Sequence, residues 1–125
     1  MTLADRLARF NRAPNRLVRT FAGRVPPMAV MVHRGRRSGR RYRTPVVAFR
    51  LSDGYVISLP YGPDRDWVRN VLAAGSCTLE RGGRRVELRG PRLLRGGEGR
   101  ALLPPPARAA LRLVGVTGFL RLSAA

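Results

Sequence analysis

The chain has 125 residues, enough for one domain with a real core and too few for two. Its hydrophobic fraction of 44%, with 14 Gly and 10 Pro scattered along it, excludes disorder as the whole account. A formal charge of +18, from 25 arginines and no lysine against seven carboxylates, calls for an anionic partner, although part of it reflects a coding preference for Arg.

The N-terminus MTLADRLARF carries Asp5 and has no apolar run before its arginines, so it does not read as a signal peptide. No window reaches the roughly 20 apolar residues of a membrane span. Leu3, Leu7 and Phe10 recur at helical spacing, Pro14 interrupts, and Leu17, Val18 and Phe21 resume the stripe, which predicts two basic helices within residues 1–23. Their apolar face either packs on the rest of the protein or, through residues 1–22, lies on an anionic membrane surface.

After Pro26 and Pro27 the segment MAVMVHR reads as a buried strand. It delivers HRGRRSGRRYRTPV, with six arginines from Arg34 to Arg43, at a strand end. PVVAFRLS and YVISLP flank Asp53 and Gly54, which predicts a hairpin with both residues at positive φ. In YGPDRDWVRNVLAAG, Asp64 is the expected helix cap, Trp67, Val68, Val71 and Leu72 the apolar face, and Gly75 the stop. SCTLER and RRVELRG flank Gly82 and Gly83 as a second hairpin, with Cys77, Leu79, Val86 and Leu88 inward. Gly96, Gly97 and Pro104 to Pro106 punctuate the remainder, ARAALRLVG reads as a helix with Leu111 and Val114 inward, and FLRLSAA as a final short strand. This pattern predicts one domain over residues 1–125: basic helices to residue 23, a barrel body over 28–95, and a helix and strand over 96–125. Many strands with few helices imply a small antiparallel barrel.

The chemistry is framed by what is missing. The carboxylates are scattered, with no pair placed for acid-base work. One histidine, His33, and one cysteine, Cys77, cannot build a zinc site or a Cys-His pair, so no metal is expected. Cys77 reads as core in a reducing, cytoplasmic compartment, and His33 as either structural or ligand-facing. A catalyst so poor in such groups borrows its chemistry from a cofactor. Arginine forks suit phosphate or carboxylate oxygens, and Gly35 and Gly39 permit close approach. By composition alone the same run also suits a solvated or nucleic-acid-facing surface.

The succession GRRSGRRYRTPV, the Asp53-Gly54 hairpin, and DWVRNVLAAG followed by paired strands resembles the deazaflavin-dependent nitroreductase and quinone reductase family, a branch of the split β-barrel flavoproteins. The likeness runs in order from about Val30 to Leu94. It implies a mainly β, antiparallel, flavin-reductase-like split barrel of about six strands with flanking helices. It also implies coenzyme F420, an 8-hydroxy-5-deazaflavin with a phosphate and a polyglutamate tail, with FMN as second choice. Carried over by position, the phosphate and tail fall to Arg36, Arg37, Ser38, Gly39 and Arg43. The ring falls to Pro45, Val46, Leu59, Pro60, Tyr61 and Trp67, with Tyr61 as candidate proton donor and Asn70 as a structural hydrogen-bonder.

The implied activity is hydride transfer between the reduced deazaflavin and a small-molecule electron acceptor, quinone-like or nitroaromatic. The chain would act as a monomer or homodimer. It departs from the family in having Leu59 and Pro60 where a Ser-Lys stands, and no tyrosine after Arg95. Alternative readings are a deazaflavin- or flavin-binding carrier without strong catalysis, a peripheral membrane module, and a nucleic-acid binder. The last is disfavoured because Tyr42, Tyr55 and Tyr61 form no stacking platform.

Overall fold

A computed structural model of the chain describes residues 28–124. The expected basic helices of residues 1–23 lie outside the described residues. Six antiparallel strands close into a barrel: β1 (Met28–Arg34), β2 (Arg41–Leu51), β3 (Gly54–Ser58), β4 (Ser76–Arg81), β5 (Arg84–Arg95) and β6 (Gly118–Ala124), in the spatial order β1-β2-β3-β6-β5-β4 with β4 returning to β1. Among the described residues three helices accompany them: α1 (Asp66–Ala74), α2 (Gly96–Arg100) and α3 (Pro105–Val114).

The continuous apolar run of β1 is buried from Ala29 to His33, as a strand covered on both faces must be. Ala29, Met31, Ala48, Ile57, Leu79, Leu88, Leu120 and Leu122 fill the barrel. Val68 and Val71 of α1 join that core, with Trp67 packed on its edge. Leu72, expected on the same face, is 37% exposed, on the flank of the helix beside the fully buried Val71. The helix begins at Asp66 with Arg65 as its cap residue, while Asp64 pairs with Arg69 at 3.7 Å. Gly75 stops it in the left-handed conformation, φ 73°.

The two hairpins turn differently. Gly82 and Gly83 both take positive φ, 56° and 77°, as a tight primed turn requires. In the first hairpin Leu51 pairs with Gly54, so the turn residues are Ser52 and Asp53 and neither has positive φ. Gly54 is there for space: a Cβ on it would stand 2.0 Å from the carbonyl oxygen of Leu122 on β6. β2 begins four residues before the expected Pro45, because Tyr42 and its neighbours continue the ladder to β1. β5 runs past Gly90 and Pro91 through a register shift, which lets one strand pair with β4 first and β6 afterwards.

A second apolar cluster sits outside the barrel, where Leu94, Leu103, Val116 and Phe119 meet Val56, with Leu111 and Val114 packed against it as expected. The two glycines at 96 and 97, read as punctuation, open α2 instead. Its Gly99 lies flat on Phe119, whose ring carbons would be 2.0 Å from a Cβ there.

Candidate functional site

The loop between β1 and β2, the chain entering α1, and the start of β2 converge on one side of the barrel. Within the loop, Gly35 N–H donates to the Arg40 carbonyl at 2.8 Å, and Gly39, at φ 71°, donates to the Gly35 carbonyl at 2.9 Å. A Cβ on Gly35 would come within 2.6 Å of Ser38 Oγ and 2.9 Å of the Tyr42 ring, so a larger residue there would displace both side chains. Ser38 Oγ accepts from the Arg40 N–H at 3.2 Å and lies 3.4 Å from the Tyr42 hydroxyl.

The loop arginines have separate fates. Arg36 turns onto α1: its backbone N–H and its Nη1 both donate to Asn70 Oδ1, at 3.1 and 2.8 Å, and its Nη2 meets Asp66 Oδ1 at 3.2 Å. Arg43 is paired with Glu80. Arg37 has no side-chain partner among the described residues, and it faces a cavity of about 610 Å³ that Arg36, Ser38, Arg43, Tyr61 and Trp67 also line. Arg65 lines the same cavity and lies over the Tyr61 ring, 5.2 Å from its centre.

A smaller recess of about 80 Å³ adjoins it, walled by Pro45, Val46, Leu59 and Pro60. Tyr61, Arg65 and Trp67 border both. The site is therefore a groove with a cationic end and an apolar end, and Trp67 stands between them while also packing on the core. Of the residues expected at a ligand, only Gly39 lines neither space; it shapes the loop.

Sequence reasoning did not assign Thr44, Tyr42 or Arg65 to the site, and left His33 open. His33 is 5% exposed, stacked on Tyr42 with ring centres 5.8 Å apart, and bonded to Thr44 Oγ1 at 2.9 Å and Asn70 Nδ2 at 3.2 Å. Burial lowers its pKa to about 4, so the ring is neutral near pH 7. The register His33 opposite Tyr42 follows once β2 is seen to start at Arg41; that extension was the missing signal. Cys77 is buried core as expected, and desolvation, with the Glu87 carboxylate second, pushes its thiol up to about 12.

The model of the family described as F420H2-dependent quinone reductase matches residues 4–109. No curated protein matches the chain. Among solved structures, one described as an F420-H2 dependent reductase (FDR-A) superposes with a TM-score of 0.55 at 19% identity, over 77% of this chain and 94% of its own. A domain-swapped dimer superposes at 0.56 and 18% identity, over 78% and 81%. HutZ, the haem storage protein from Vibrio cholerae, superposes at 0.57 and 10% identity, over 100% and 92%. At such identities these likenesses establish the barrel fold alone.

Proposed function

The chain belongs to the F420H2-dependent quinone reductase family, and from that premise we propose how its own residues serve the reaction. It is an oxidoreductase that depends on coenzyme F420. When bound, the reduced deazaflavin supplies a hydride from its ring carbon. The groove fits such a group: about 610 Å³ is an ordinary size for a cofactor site, and its cationic and apolar ends answer a molecule anionic at one end and flat at the other.

Arg37 carries the reading. A guanidinium with no carboxylate to satisfy it, at the rim of a cavity, is poised to take phosphate oxygens bidentately. Ser38 adds a hydroxyl beside it, and Gly39 holds the turn. Arg43 and Arg65 raise the local positive potential, already partly neutralised by Glu80 and spread over Tyr61. Arg36 acts one step back by tying the loop to α1. Pro45, Val46, Leu59 and Pro60 offer an apolar bed for a ring, and Trp67 closes its side and excludes water.

The acceptor we favour is quinone-like. A quinone that gains a hydride needs one proton to leave as hydroquinone, and Tyr61, which borders both spaces, is the residue we propose as its source. A nitroaromatic is the second reading, and it is weakened by the C-terminal part: Phe119, the aromatic residue there, is fully buried in the outer cluster and cannot cover a substrate. The domain-swapped neighbour supports a homodimer, which sedimentation at twice the chain's mass would bear out. Titrating the protein into F420 while following deazaflavin fluorescence, with FMN and haem in parallel, tests the cofactor assignment. Saturable binding of F420, tighter than of FMN or haem, followed by oxidation of F420H2 on adding a quinone is expected; preference for haem would reverse it.

A further inference from the structure

We propose that the Thr44 hydroxyl donates a hydrogen bond to the molecule held in the main cavity, and that His33, locked in one tautomer by Asn70, is the positioning residue that frees it to do so. The inference rests on the cofactor reading above and extends it to residues outside the loop.

The direction of each bond follows from chemistry. Asn70 receives two groups that can only donate, the Arg36 backbone N–H at 3.1 Å and Arg36 Nη1 at 2.8 Å, so the amide atom there is the oxygen. Its nitrogen then faces His33 Nδ1 at 3.2 Å. An amide NH2 can only donate, so Nδ1 carries a lone pair and the ring proton sits on Nε2. Nε2 points at Thr44 Oγ1, 2.9 Å away, which must accept. A hydroxyl that accepts keeps its own hydrogen, and no described residue takes it. Thr44 lines the main cavity between Arg43 and Pro45, where the cationic end gives way to the apolar one. Stacking on Tyr42 covers the imidazole, and burial keeps it neutral, so the tautomer does not scramble. The loop arginine thus reaches the cavity by a second route, through Asn70, His33 and Thr44, each bond running one way.

Because His33 is the sole histidine, its two imidazole nitrogens can be read unambiguously by 15N NMR of the whole protein. The wild type should show Nε2 protonated and Nδ1 bare at neutral pH. Asn70→Asp keeps an acceptor for Arg36 but has nothing to donate to His33; it should move the proton to Nδ1 and turn the Thr44 hydrogen inward. Fluorescence titration with F420 should then show about tenfold weaker binding for Asn70→Asp and for Thr44→Val, near wild-type binding for Thr44→Ser, and no further loss in the double variant beyond Thr44→Val. Should Thr44→Val fail to fold, Asn70→Asp still decides by showing both the moved proton and the lost affinity. Wild-type protein with Nδ1 protonated, a Thr44→Val variant that binds F420 as the wild type does, or fully additive losses would each overturn the inference while leaving the cofactor reading intact. A wild type with no affinity for F420 would overturn both.

Discussion

At the scale of single residues the two central arginines of the loop, adjacent and alike in sequence, do different work. Arg36 is spent inside the protein on Asn70 and Asp66, with its side chain only 24% exposed, whereas Arg37 lines the cavity with no side-chain partner among the described residues. Arg36→Ala should therefore act first on stability: losing charge-assisted bonds to a buried amide costs about 1.5–3 kcal/mol, read as a lowered urea midpoint. His33 gives a pH signature. Its folded pKa of about 4 lies below the ordinary 6.5, so the folded protein binds fewer protons between those values. Stability from the neutral ring is complete above pH 6.5 and is lost as the pH falls toward 4, a change of about 3 kcal/mol. Unfolding curves across that range should show the loss, and His33→Gln should flatten it. Cys77, with its thiol pushed up to about 12, should resist alkylation at pH 8 until the chain is unfolded. The candidate anion loop was legible because its glycines and arginines are contiguous. Thr44 and Asn70 were not legible as parts of one network, since 26 positions separate them and only the packing of α1 on β1 brings them together.

At the scale of elements, alternation and glycine pairs located the strands, and the α1 stop at Gly75 was readable from its type alone. What was not readable was why a given glycine is needed. Gly83 needs its backbone angle, φ 77°, while Gly54 needs room beneath Leu122. The two should respond differently. Gly83→Ala should cost about 1–2 kcal/mol, the penalty of a left-handed non-glycine residue. Gly54→Ala should cost about 3 kcal/mol or abolish folding, because a backbone clash in the β3–β6 seam cannot be relieved by a side-chain rotation. Comparative urea denaturation of the two variants checks the order. α2 escaped sequence reading because a helix opening on two glycines has no propensity to announce it; it is held by Gly99 lying on Phe119.

At the scale of the whole molecule, hydrophobic patterning gave the kind of strands and pointed to a small antiparallel barrel, and the family likeness added that it is a split barrel of about six strands. Composition could not give the pairing of β3 with β6 or β4 with β1, because alternation says which face is inward and nothing about the neighbour. The +18 charge likewise named an anion without choosing it. Salt separates the choices: non-specific attraction of duplex DNA should collapse on raising the ionic strength several-fold, whereas binding of F420 in a partly enclosed groove should weaken far less. The F420 affinity of Arg37→Ala, followed by deazaflavin fluorescence, decides whether Arg37, which lines the cavity with no side-chain partner among the described residues, anchors the cofactor's anionic end as proposed. A loss of about 10- to 100-fold with the urea midpoint unchanged is expected; an affinity equal to the wild type's would rule the anchor out.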